Sequence, residues 1–196
     1  WAYESISDNT LDLVPNKNYN GATPAKDDKL HYDVLKDPTA RLTAQQDGTT
    51  LAMEMVPADS VDQLKGAGCT VDDVQGFGVR FAMFNVSKAP WDNVKVRQAV
   101  LYALDTDKML SNSFSGQAEV ATSYLPSSFT NYHKASTVYT HDVDKAKSLI
   151  KDAGITPGEV VLRTTDNEQV KSMATQVKND LDALGFNVSI VSDTSP

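Results

Sequence analysis

Residues 160–191 restrict the fold more than any other part of the chain. Val160, Val161 and Leu162 open a strand predicted over residues 160–164. Val170, Met173, Ala174, Val177, Leu181 and Leu184 then recur at spacings of three and four, which puts them on one side of a helix. Asp166 or Asn167 is placed to cap that helix and Gly185 to end it, and residues 187–191 read as a second strand. Strand, helix and strand at this spacing form a parallel pair with a right-handed crossover, because only that hand packs the helix back onto twisted strands. The second half is therefore predicted to be an α/β layer structure.

The rest of the chain is read against that unit. Residues 1–34 give short strands separated by turn clusters at Asp8-Asn9 and at residues 15–24. Asp37 before Pro38 is a helix start, since an acidic N-cap precedes a proline whose missing N–H costs nothing at the first helical position. Strands are expected at residues 51–56 and 69–74, with a short helix at 57–65 between them. Residues 79–86, with Phe81, Met83 and Phe84, form the most apolar strand candidate and are expected to be largely buried. After Pro90 the period changes, and Val94, Val96, Ala99, Val100, Ala103 and Leu104 describe a helix face. A second helix is predicted at residues 106–114, and a third after Asp142 with Val143, Ala146, Leu149 and Ile150 inward and Gly154 at its end. Residues 115–141 have no clear period. A loop of that length in a compact domain is usually functional.

Composition narrows the function. With 18 Lys and Arg against 26 Asp and Glu, the formal net charge is −8, so the field that draws proteins to a phosphate backbone is missing and nucleic acid is not an expected partner. Apolar residues make up 40% of the chain, enough for a core, and no apolar run approaches the roughly 20 residues of a membrane-spanning helix. Cys69 is the single cysteine, which excludes an intrachain disulfide and a thiolate cluster. No signal peptide stands at Trp1, and both ends read as interior sequence, so a piece of a longer chain is expected.

Catalytic and metal motifs are missing. His31, His133 and His141 lack zinc spacing, and no metal or cofactor is expected. There is no nucleophile elbow, no phosphate loop and no dinucleotide fingerprint, while Gly76 and Gly78 read as a bend entering a strand. Asp142 with Asp144 and Asp180 with Asp182 sit at helix starts or on helices, where caps and solvated faces account for them. One enzymatic alternative is a hydrolase whose long loop carries Ser127 or Ser128 with Tyr132 and His133, although no motif supplies an orienting acid or an oxyanion hole. Another alternative is a fragment that serves only in protein interaction.

A more specific signal runs through Phe84-Asn85, then Pro90-Trp91-Asp92-Asn93-Val94-Lys95-Val96-Arg97-Gln98-Ala99, then Tyr102-Ala103-Leu104-Asp105. This order closely resembles solute-binding protein family 5, the peptide- and nickel-binding proteins of ABC importers. Gly116-Gln117-Ala118, Leu125-Pro126, Asp144-Lys145-Ala146-Lys147 and Ala153-Gly154 resemble later family segments in the same order. Upstream, Asn16-Lys17-Asn18-Tyr19-Asn20-Gly21 is similar to a family motif, with Asn20 where an aromatic residue is usual, and Asp37-Pro38 with Ala40-Arg41 is similar to the next helix start. A second departure is Phe114-Ser115 before Gly116, where the family often has a tyrosine or another glycine.

The resemblance implies a type II periplasmic-binding-protein-like α/β fold with incomplete portions of two lobes. Residues 1–78 would belong to the first lobe, and residues 79–196 would hold a hinge-crossing strand and the start of the second. It also implies capture of a peptide or similar small ligand without catalysis and delivery to ABC permease subunits. The setting would be extracytoplasmic, in a periplasm or as a lipoprotein on a Gram-positive surface. The segment that holds a peptide's amino terminus in family members would lie beyond Pro196. Ligand-facing candidates are Arg80 and Phe81 on the crossing strand, Ser113, Phe114 and Gly116 after the second helix, Tyr124 in the loop, and Thr165 and Lys171 around the last helix start. Arg97, a cation beside an apolar helix face, is expected to pair with a carboxylate such as Asp92 or Asp105.

Overall fold

The computed structural model describes residues 1–193, which divide into a compact unit Trp1–Asp72 and a second that begins at Asp73. In the first unit β1 (Ala2–Ile6), β2 (Thr10–Val14) and β3 (Leu30–Asp33) form an antiparallel sheet in that order. The β1–β2 turn closes where Ser7 N–H donates to Thr10 O at 2.9 Å, and the two hydroxyls meet at 2.7 Å. An irregularity between Tyr3 and Ser5 sets Ser5 opposite Asp12, and Asp12 lies opposite His31. Because strand side chains alternate, Ser5, Asp12 and His31 share one face and Ile6, Leu11 and Tyr32 share the other.

Helix α1 (Pro38–Gln46) starts as its sequence requires, with the Asp37 carboxylate accepting from Ala40 N–H at 2.7 Å and Pro38 in the first turn. A 3-10 turn at Ala58–Ser60 leads into α2 (Val61–Gly66), whose Leu64 is buried.

The second unit holds α3 (Val94–Ala103), α4 (Thr106–Phe114), α5 (Val143–Asp152), β4 (Glu159–Thr165), α6 (Glu168–Asp182) and β5 (Asn187–Asp193). Strands β4 and β5 pair in parallel from Glu159 opposite Asn187 to Thr165 opposite Asp193, with α6 as the crossover. Asn167 is the cap of α6, accepting from Val170 N–H at 3.2 Å. The core joins Val96, Ala99, Val100 and Ala103 of α3 to Ala146 and Ile150 of α5, and to Leu181, Leu184, Phe186 and Val188. Ala99, Ala103 and Ala146 have essentially no exposure, and these small side chains let α3 and α5 approach closely. Trp91 stacks on Phe186 at 5.8 Å and meets Phe84 at 5.3 Å, so the turn before α3 is pinned to the β5 end of the core.

Four sequence expectations are corrected. Residues 51–56 form no strand: Met55 has φ 57°, a left-handed conformation that breaks an extended run. Residues 69–74 and 79–86 likewise have no ladder partner among the described residues, and a strand exists only through its neighbour's hydrogen bonds. The proposed crossing strand is therefore an open segment, with Phe81 60% and Met83 85% exposed rather than buried. Arg97 meets no carboxylate among the described residues. Its Nη1 donates to the carbonyls of Trp91 at 2.6 Å and Asp92 at 3.1 Å. Arg41 in α1 does the same to Leu35 at 2.7 Å and Lys36 at 3.1 Å, so each arginine ties down the chain entering its own helix.

Candidate functional site

The eight ligand-facing candidates lie in the second unit and fall into two groups. The first surrounds the C-terminal end of α4 and the start of α6. Helix α4 stops because Ser115 and Gly116 take positive φ, 49° and 80°, and Gln117 N–H returns to Phe114 O at 2.8 Å. A Cβ at Gly116 would meet open space, so its backbone conformation, not crowding, favours glycine there. Ser113 Oγ donates to Ser172 Oγ at 2.9 Å, which fastens the end of α4 to α6 one residue from Lys171. The Lys171 ammonium is 2.9 Å from Glu168 on its own helix, an exposed pair of little energetic weight. Thr165 ends β4 as an exposed residue, its Oγ1 accepting a long 3.4 Å bond from Asn167 N–H. Thr164 beside it is buried, and its Oγ1 has no partner among the described residues. Nothing in the sequence separated these two threonines beyond the alternation of the strand.

The second group lies where the long loop runs along the open segment. Phe81 and Tyr124 face each other at 6.1 Å, and Phe77 meets Phe129 edge-on at 5.4 Å. Gln75 donates to Ser127 Oγ at 2.9 Å and Ser128 Oγ donates to Gly76 O at 2.9 Å, so residues 75–77 and 127–129 run side by side in the same direction. Ser127 also donates to Glu119. Arg80 is exposed and makes no ion pair or hydrogen bond among the described residues. Phe77, Gln75 and Phe129 were not singled out in sequence; the Ser-Ser-Phe run at 127–129 was the available signal, but its partner residues are some 50 positions away in the chain.

Among the described residues the arrangement offers exposed surfaces and brings together no serine–histidine pair. Ser127 and Ser128 are held by Gln75, Glu119 and Gly76, and no hydrogen bond joins either to His133 among the described residues. No group of three or more His, Cys, Asp or Glu converges as for a metal among the described residues. Desolvation by burial pushes the Asp180 carboxyl up, partly offset by bonds from Asp105 N–H at 3.0 Å and Gln176 at 2.8 Å. Those bonds tie α6 to the α3–α4 joint, a structural role. Two concavities of about 550 and 470 Å³ are both in the first unit, and none of the eight candidates lines them. Among the described residues no helix is long and apolar enough to cross a membrane.

Solved structures share this architecture. The ABC transporter-associated periplasmic binding protein DppA from Helicobacter pylori, in complex with peptide STSA, matches with a TM-score of 0.81 at 22% identity, over 98% of this chain and 38% of that one. MoaA from A. tumefacien R10, in complex with mannopinic acid, also matches at 0.81, with 20% identity over 98% and 40% of the two chains. The fold is thus that of type II periplasmic binding proteins. Heme-binding protein A of Haemophilus influenzae is 30% identical over 194 residues, 94% of this chain and 35% of the relative. The dipeptide-binding protein of Escherichia coli is 28% identical over 171 residues, 84% of this chain and 32% of the relative. The profile of the bacterial extracellular solute-binding proteins, family 5 Middle, matches residues 2–195, and the chain belongs to that family. It spans about a third of the length of these curated relatives.

Proposed function

We propose that this chain is part of the substrate-binding component of an ABC importer, which captures peptides or similar small ligands outside the cytoplasm and hands them to membrane permease subunits without transforming them. The observation that carries this reading is the family match across residues 2–195. Relatives and structural neighbours whose names and complexes include dipeptides, the peptide STSA and a nonapeptide support peptides as the leading ligand class. Residues 1–78 are assigned to the first lobe, and 79–196 to the hinge segment and second lobe.

Arg80, Phe81, Ser113, Phe114, Gly116, Tyr124, Thr165 and Lys171 are assigned to the ligand side. Support comes from residues 79–83, whose N–H and C=O groups make no hydrogen bond among the described residues and suit an extended peptide, and from the exposed Phe81–Tyr124 pair, which suits an apolar side chain. Capture without chemistry accords with serines that are engaged elsewhere than with a histidine.

The test is mass spectrometry of small molecules that co-purify with the full-length protein, followed by calorimetry with the compounds found. Peptides are expected. Turnover of ester or peptide substrates by that protein, or failure to retain any small ligand, overturns the proposal.

A further inference from the structure

Asn20 stands where the family resemblance leads one to expect an aromatic residue, and Gly21 follows it. Both lie in the connection between β2 and β3, and both are exposed. The neighbouring asparagine is occupied: Asn16 Oδ1 accepts from Asn18 N–H at 2.9 Å, and Asn16 O accepts from Tyr19 N–H at 3.1 Å. Asn20 has no side-chain hydrogen bond among the described residues, so its carboxamide is free to turn onto its own backbone. Tyr19 folds across Gly21 closely enough that a Cβ there would overlap its hydroxyl and ring. Those atoms are the far end of the exposed Tyr19 side chain, and a residue without Cβ puts nothing of its own between its amide nitrogen and the preceding side chain.

We propose that Asn20 is a site of spontaneous deamidation. The Gly21 backbone nitrogen attacks Cγ of Asn20, the new N–Cγ bond forms, and the Cγ–Nδ2 bond breaks. Ammonia leaves carrying the amide proton, and a cyclic succinimide remains. Water then opens the ring at either carbonyl. Opening at Cγ gives aspartate; opening at the backbone carbonyl gives isoaspartate, whose main chain is longer by one methylene. Each product adds one negative charge to a chain that already carries −8, and isoaspartate also displaces the Tyr19–Gly21 contact. An aromatic residue at position 20 would have none of this chemistry.

The test is incubation of the protein in mildly alkaline buffer with tryptic mapping of residues 18–26, which lie between the cleavage sites after Lys17 and Lys26. A gain of one mass unit is expected to accumulate at residue 20, with chromatographic splitting into aspartyl and isoaspartyl forms, while Asn18 in the same peptide is unchanged. Asn20→Gln should reduce conversion to background, because the corresponding ring is larger and closes more slowly. A synthetic peptide of residues 18–26 sets the intrinsic rate. No conversion in the protein by the time half of that peptide has reacted, or equal conversion at Asn18 and Asn20, overturns the proposal.

Discussion

Val96→Ala measures how far the second unit depends on the α3 face. Val96 is 0% exposed and sits in the cluster formed by α3, α5, α6 and β5. The substitution removes the equivalent of two methylenes, at about 0.8 kcal/mol each when buried. Its neighbours Ala99, Ala103 and Ala146 are too small to collapse into the space, so a cavity penalty adds, for a total of about 2–3 kcal/mol. Val177→Ala makes the comparison, because Val177 is only partly buried against the same cluster and should lose about 1 kcal/mol less. Urea titration followed by Trp91 fluorescence, in a Trp1→Phe background so that only the second unit is seen, gives both values. At a typical urea slope, the Val96 variant's midpoint should fall by about 1 M with the slope unchanged. A midpoint within experimental scatter of the parent, or Val177→Ala costing more than Val96→Ala, would refute the reasoning from burial.

Arg97→Ala should destabilise the second unit by about 1.5–3 kcal/mol, since two carbonyls lose a charged donor, and Arg97→Lys should recover only part of that; thermal unfolding of both variants decides it, and no change for Arg97→Ala would place those carbonyls in water. Thr165→Ala should leave stability within about 0.5 kcal/mol, as an exposed position does, yet weaken ligand binding by the full-length protein in calorimetry; unchanged affinity would remove Thr165 from the ligand side. The sheet of the first unit should respond to pH through His31, whose Nδ1 lies 2.6 Å from Asp12 and Nε2 3.3 Å from Asp33. The bond to Asp12 leads in raising the His31 pKa, so its stabilising contribution is present below the unfolded value of about 6.5 and is lost as pH rises through the higher folded value. Asp12, held down to about 2 chiefly by His31, contributes above its ordinary 3.8 and loses that contribution as pH falls toward 2. The stability difference between parent and His31→Asn, measured against pH, should therefore decline toward both ends; a flat difference would contradict the cross-strand contact.

What could be read in the sequence was what short-range physics determines. Asp37, Asp142 and Asn167, named as caps or cap candidates, close their helix starts through bonds that span three residues, so each signal is local; Asn93 and Asp105 cap theirs over two and three residues and were not singled out as caps. The stripe ending in Leu181 and Leu184, with Gly185 after it, gave the parallel unit directly, because the period fixes the buried face and the hand of the crossover fixes the topology. Arg97 was misread for a related reason. A cation on an apolar face was assigned a carboxylate partner, whereas carbonyls five and six residues back satisfy it, and backbone acceptors carry no mark in a sequence.

Residues 79–86 show where such reading stops. Their apolar content was taken for burial, but a strand's burial and hydrogen bonds are supplied by its neighbours, not by its own period. Here the neighbour is the loop at 124–129, which meets residues 79–86 through the Phe81–Tyr124 pair and residues 75–77 through the Phe77–Phe129 pair and two polar bonds, without building a ladder. The contacts between Phe81 and Tyr124, and between Ser113 and Ser172, join residues 43 and 59 positions apart. No local pattern records such separations. Of the candidates named from the family resemblance, Phe81 and Tyr124 are brought side by side by the fold, a pairing that no local pattern in this sequence displays.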